Sequence, residues 1–168
     1  CWANENWSRN WDGKFRNILI EQHYSEEDDI EHMRYLCSKV FQDTRYIRID
    51  GKPVFAIYRS NFFPNMKHTI DVWRKVAKEE YGIELYLIRV ENEPDFGPKY
   101  LDCGFDSAMD FQPLLMGEFN AWWKNLPFRI MNHLFKGKYQ WFNKHFSYAS
   151  YVKYRIKKPL ADYKCFPC

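Results

Sequence analysis

Glycine is scarce, with seven among 168 residues, and no glycine pair or triplet makes a GxGxxG or Walker pattern. That excludes a glycine-rich phosphate cradle and leaves a Rossmann-type nucleotide-sugar site unsupported. No apolar run approaches the roughly 18 residues that a membrane-spanning helix needs. His23, His32, His68, His133 and His145 show no metal-ligand spacing, so neither metal nor cofactor is expected. Five cysteines cannot all pair within the chain. Cys37 falls in a helical pattern and Cys103 in a turn-like stretch, which points to a reducing, cytoplasmic compartment. Cys165 and Cys168 form a lone CxxC without a second ligand pair or a following helix, and read as two strand residues. An initiator methionine is also missing: the chain starts at Cys1 and stops in "DYKCFPC", which reads as a strand cut short. The expectation is a piece of a longer protein, for which absent targeting signals carry little meaning.

What is present is globular, with 46% hydrophobic and 28% charged residues, enough for one domain with a core. Charge is divided: residues 1–120 are net −6, whereas 121–168 hold ten basic residues against one acidic, net +9. An anionic partner for the later part follows from that asymmetry.

"HYSEEDDIEHMRYLCSKVFQ" predicts a helix with Ser25 as cap, an acidic first turn and a buried stripe of Ile30, Met33, Cys37, Val40 and Phe41. Asp50-Gly51 predicts a turn between two β-rich runs, and Pro53 opens the strand "VFAIY". "NMKHTIDVWRKVAKEEYG" predicts a second helix, with Met66, Ile70, Trp73, Ala77 and Tyr81 on one face and Gly82 as its stop. Strands are expected at "ELYLIRV", "FDSAMDF" and "YKCFPC", a short helix or turn at "GPKYLDCG", and a helix over "SYASYVKYRIKKP" ending before Pro159. Strands alternating with helices imply a parallel α/β sheet, and "VFAIY" and "LYLIRV" are apolar enough to be buried on both faces. Residues 113–146 hold no clear strand and read as a helical insertion after the strand ending at Asp110.

Each apolar strand hands over to polar residues: Asn4-Glu5-Asn6, Tyr58-Arg59, Glu91-Asn92-Glu93, and Asp110 with Gln112. Parallel α/β folds place ligands at the carboxyl ends of strands. Tryptophan gives sugar rings a flat apolar face, and carboxylates and amides take paired hydroxyls. Trp2, Trp7 and Trp11 beside Asn4, Glu5 and Asn92 therefore fit a saccharide pocket, with one or two of the three tryptophans touching ligand and the others packing. Glycoside chemistry uses two carboxylates about 5–10 Å apart, and Glu5, Glu91, Glu93 and Asp110 are candidates. His23 reads as a surface or capping residue, with the mouth of the site as the alternative. The basic, aromatic segment 119–158 reads as a helical subdomain with a solvated basic face or as a peripheral membrane contact. No nucleic-acid motif is present, and nucleic acid is not an expected partner.

"CWANENWSRNWDGK", "ILIEQHYSEEDDIEHMRYL", "RYIRIDGKPVFAIYR" and "DYKCFPC" closely resemble the WbsX-type family, glycosyltransferases of surface polysaccharide assembly that are also described as glycoside hydrolase family 99-like. The resemblance covers residues 1–110 and about 147–168. It implies a partial (β/α)8 barrel of the TIM type, strands 3 to 7, with the chain 1–168 as a single incomplete barrel domain. Trp2-Ala3-Asn4 would end the third barrel strand and "YKCFPC" would be the seventh. Family-99 hydrolases act on α-mannosides with two glutamates three residues apart. The similar stretch of the WbsX type follows the seventh strand, which would put it beyond Cys168. The implied function is action on glycosidic bonds, by hydrolysis or transfer, on a saccharide that is lipid-linked, anionic or neither. The implied substrate contacts are Trp2, Asn4, Glu5, Trp7, Trp11, Tyr58, Arg59, Glu91, Asn92, Asp110 and Gln112. The alternatives are a glycan-binding barrel without catalysis and a membrane-associated assembly factor.

Overall fold

In a computed structural model the structure describes residues 1–9, 14–91, 97–111 and 148–167. The chain divides into two compact units, residues 1–111 with 163–168, and residues 112–162. The first is an α/β unit in which a mixed five-stranded sheet curls as a half-barrel, with helices alternating between its strands.

The chain begins with a hairpin of β1 (Trp7–Arg9) and β2 (Lys14–Ile20). The sequence does not foreshadow it. Its register shifts at Trp7/Ser8 and again at Ser8/Arg9, and the run "ILI" has no apolar–polar alternation. Helix α1 (Glu26–Tyr35) follows, with the Asp28 N–H donating to Ser25 Oγ and four acidic residues in the first turn. It runs on into a π-turn at Leu36–Val40, closed by the Phe41 N–H on the Leu36 carbonyl. Met33, Cys37 and Phe41 of the expected stripe are buried, and Ile30 and Val40 lie at its margin.

Strands β3 (Arg48–Ile49) and β4 (Lys52–Ile57) pair antiparallel. Asp50 and Gly51 between them both take positive φ, 50° and 75°, as the two-residue turn of a tight hairpin requires. Helix α2 (Met66–Tyr81) starts at Asn65, whose side chain accepts from the His68 N–H. It stops at Gly82, φ 66°, where the Ile83 N–H reaches back to the Ala77 carbonyl. Strand β5 (Tyr86–Glu91), the short helix α3 (Tyr100–Cys103), β6 (Ser107–Asp110) and β7 (Cys165–Pro167) complete the unit. Helix α4 (Tyr148–Lys157) lies in the second unit. The rest of the expected insertion 113–146 lies outside the described residues.

The sheet order is β3-β4-β5-β6-β7, and β4 to β7 are all parallel. On the free edge of β4 beyond β3, Trp2 makes a parallel bridge to Ile57: its N–H donates to the Ala56 carbonyl, and its carbonyl accepts from the Tyr58 N–H. Side chains alternate across this sheet. Phe55, Ile57, Leu87 and Ala108 join α1 and α2 in the main core, around Met33, Ile70 and Trp73. Ala56, Tyr86, Ile88 and Val90 form a smaller cluster on the opposite face, against Tyr58, Met109 and Phe111.

Candidate functional site

The carboxyl ends of the strands fall in one row. Ile57 is level with Arg89, and Glu91 is level with Asp110 and Pro167. Where the pairing between Trp2 and β4 ends, the Asn4 side chain takes over. Its Oδ1 accepts from the Arg59 N–H at 2.8 Å, and its Nδ2 donates to the Arg59 carbonyl at 2.8 Å and to Tyr24 Oη at 3.1 Å. The Tyr24 hydroxyl donates in turn to the Asn4 carbonyl at 2.7 Å. Burial is the main reason the Tyr24 pKa lies above the usual phenol value, which keeps that donor protonated. Next in the chain, Glu5 Oε1 accepts from Arg59 Nε at 2.6 Å. The Arg59 guanidinium lies 4.8 Å from the Tyr58 ring centroid and 5.8 Å from that of Phe62.

These bonds frame an open cavity of about 590 Å³, lined by Asn4, Glu5, Asn6, Gln22, Tyr24, Asn61 and Phe62. Ligand clefts commonly measure about 300–1,000 Å³. Asn4 is fully buried and its amide is occupied, so it serves as floor. Asn6 Oδ1 is held by the Gln22 N–H at 2.7 Å, which leaves its two amide hydrogens for the cavity. Gln22 Nε2 donates to the His23 carbonyl, leaving Gln22 Oε1. Asn61 follows Arg59 in the short 3₁₀ turn Ser60–Phe62 and adds a third amide beside Asn6 and Gln22, and Phe62 adds an exposed ring. The lining therefore offers amide donors, amide and carboxylate acceptors, and an aromatic face.

The expected site residues go to several places. Asn4 and Glu5 line this cavity, with Arg59 bonded to both. Trp2 packs into the core, its ring centroid 4.5 Å from that of His32 and 5.9 Å from that of Trp73. Trp7 stands exposed on β1. Tyr58 lies in the smaller cluster on the face away from α1 and α2, 5.8 Å from the Phe111 ring. Glu91 is buried. Its Oε1 accepts from Arg89 Nη2 at 3.0 Å, from the Gly97 N–H at 3.1 Å and from Tyr163 Oη at 2.7 Å. Arg89 also donates to the Gly97 carbonyl and lies over the Tyr100 ring. Cys165 Sγ is 3.9 Å from Glu91 Oε2, and burial first, with the Glu91 charge behind it, pushes the Cys165 thiol up to about 11. Asp110 neighbours Glu91 in register. The row thus gathers these side chains at one end of the sheet without turning them to one face. Trp11, Asn92, Glu93 and Gln112 lie outside the described residues. His23 is exposed, 3.7 Å from Glu21.

Sequence reasoning did not select Gln22, Tyr24, Asn61 or Phe62. Two signals for them exist. "EQHY" immediately precedes the capped helix α1, and "SNF" immediately follows Arg59.

Fold and cavity together define an α/β protein with a polar, aromatic-edged cavity beside the carboxyl end of β4. The whole chain, residues 1–168, matches the family described as Glycosyltransferase WbsX, and the chain belongs to that family. It is 28% identical over 167 residues to an uncharacterized protein WxcX of Xanthomonas campestris pv. campestris strain B100, and 27% identical to the WxcX protein of strain ATCC 33913. Each match covers 99% of this chain and 22% of the relative, so the chain spans about a fifth of the length of these curated relatives. No solved structure matches. Among the described residues no helix is long and apolar enough to cross a membrane.

Proposed function

We propose that this chain supplies a saccharide-binding cleft to a carbohydrate-active protein that works on glycosidic bonds. The proposal includes the finer architecture: a partial (β/α)8 barrel, strands 3 to 7, with a helical insertion after the sixth. The observation that carries it is the cavity framed by Glu5, Asn6, Gln22, Asn61 and Phe62 at the strand ends of a WbsX-family chain. Paired sugar hydroxyls suit amides and a carboxylate, and a sugar's C–H face suits the Phe62 ring. Support for the architecture comes from the parallel run of β4 to β7 and from Trp2 in the place of the preceding strand.

A second reading, binding without catalysis by these residues, also has an observation behind it. One carboxylate, Glu5, lines the cavity among the described residues, and it is paired with Arg59. Glu91 is enclosed by Arg89, Gly97 and Tyr163. Two-carboxylate glycoside chemistry would then draw on groups beyond these. Titration calorimetry with a panel of neutral, amino and acidic saccharides tests the binding. Asn61→Ala and Glu5→Gln are each expected to weaken the best ligand by about tenfold, the worth of one well-made hydrogen bond to a charged or buried group. Unchanged affinity in both variants would overturn the site, and product analysis on the same saccharides separates the two readings.

A further inference from the structure

Among the described residues that line the cavity, Glu5 is the one with a formal charge; the others are amides, the Tyr24 phenol and the Phe62 ring. The two oxygens of its carboxylate are placed differently. Oε1 accepts from Arg59 Nε at 2.6 Å, whereas Oε2 takes no hydrogen bond among the described residues. Arg59 stands behind the carboxylate. Its guanidinium lies against the Tyr58 and Phe62 rings, its side chain is 22% exposed against 39% for Glu5, and it is not part of the lining. A ligand therefore meets the carboxylate before the cation, and Coulomb energy falls with distance.

Two more charged groups flank Gln22 of the wall. Glu21 and His23 are both more exposed than Glu5 and lie 3.7 Å from each other. A protonated His23 offsets Glu21, and a neutral one leaves a second negative charge there. The segment that leaves the wall at Tyr24 then runs into the acidic first turn of α1. A carboxylate oxygen takes a sugar hydroxyl well, because a hydrogen bond to a charged group is stronger than a neutral one. The same oxygen repels a ring that bears its own carboxylate. Selectivity is the difference between those two affinities.

We infer that Glu5 sets the specificity of the cavity: it admits a sugar ring whose facing edge bears hydroxyls and turns away a ring with a negative charge. This rests on the saccharide reading above and narrows it.

The test is titration calorimetry of the full-length protein at about pH 7 with matched pairs, the methyl glycosides of glucose, galactose and mannose against those of the corresponding uronic acids. The wild type is expected to bind at least one neutral sugar about tenfold or more tighter than its uronate. That ratio should shrink at high salt, which screens the repulsion and leaves the hydrogen bonds. Glu5→Gln keeps the shape and removes the charge. It should weaken the neutral sugar by about tenfold and strengthen the uronate, bringing the ratio to about one or below. Asn61→Ala should weaken both members alike and keep the ratio. Circular dichroism checks the fold of the variants, and if Glu5→Gln does not fold, the salt dependence of the wild-type ratio decides. A wild type that binds a uronate as tightly as its neutral partner overturns the inference and leaves the cleft standing. So does a folded Glu5→Gln that weakens both members equally, or an Asn61→Ala that moves the ratio as far. No binding of any member overturns the cleft reading and this inference with it.

Discussion

The Asn4 carboxamide bonds to both backbone groups of Arg59, a residue 55 positions away, and to Tyr24. Replacing it by alanine removes its bonds to the part-buried Arg59 N–H and carbonyl, the carbonyl keeping the Phe62 N–H, at about 1–3 kcal/mol in all. Asn4→Ala should therefore shift the urea midpoint strongly and also abolish the shape of the cavity floor. An unshifted midpoint would show that water replaces the amide. Asn6, on the cavity wall, offers the contrast: under the proposed saccharide binding its loss should affect binding far more than stability. His32 sets a pH dependence. Burial against Trp2 and Phe55 lowers its pKa below the ordinary value, with a smaller opposing pull from Asp28. The unfolded chain takes up a proton at about pH 6.5, before the folded imidazole does. Stability is thus complete above that pH and declines as pH falls through it toward the lowered folded value. Denaturant midpoints between pH 8 and pH 5 should decline in the wild type and flatten in His32→Phe. Asp29, buried beside the Thr69 hydroxyl, has a raised pKa because of its burial. It acts in the other direction, favouring the fold when protonated, so a profile that rises on acidification would assign control to Asp29 instead.

At the scale of elements, α1 and α2 were legible in the sequence because each combines a helical period with a terminator, and β4 to β7 because they are short apolar runs alternating with helical patterns. Ser25, Asn65 and Gly82 cap where their side chains or their freedom at φ demand it. Asp50-Gly51 turns the β3–β4 hairpin for the same reason. The β1–β2 hairpin was not legible, since a strand pair with two register shifts and the unalternating run "ILI" has no readable period. Glu91 marks a different limit. A charged residue at a strand's end reads as an exit into solvent, whereas here Arg89, two residues earlier on the same face, neutralises it inside the fold. Glu91→Gln leaves the Arg89 guanidinium buried without its counter-charge and should cost about 3–5 kcal/mol. Tyr163→Phe removes one hydrogen bond and should cost about 1–2 kcal/mol. Urea unfolding of the two variants checks both values. Shifts below about 0.5 kcal/mol, as at ordinary surface positions, would mean that Glu91 faces water after all. The Tyr163 contact also ties the approach to β7 onto β5, across the strand between them.

For the whole molecule, the alternation of strands and helices was enough to read an α/β sheet from the sequence, and two of the strand-end residues, Asn4 and Glu5, line the described cavity. The facing of those residues was not readable, because it depends on the parity of each strand's last paired position, and a shift of one residue reverses it. Gln22 and Asn61 are marked in the sequence only by their positions, just ahead of the capped helix α1 and just after Arg59, and it is chain folding that brings them to one cavity. Among the described residues β7 has β6 as its one neighbour, and an unpaired parallel edge is an invitation to self-association. The 168-residue chain by itself should show concentration-dependent association in sedimentation velocity, and one invariant monomer boundary would refute this. The Asn4 amide has a mechanical consequence as well. By imitating a peptide group, it continues the sheet's pairing one step past the point where the two main chains part company. Substitutions in the segments bearing Gln22 and Asn61 should therefore alter the cavity wall while the ground beneath them stays fixed, so the wall can change without the scaffold giving way.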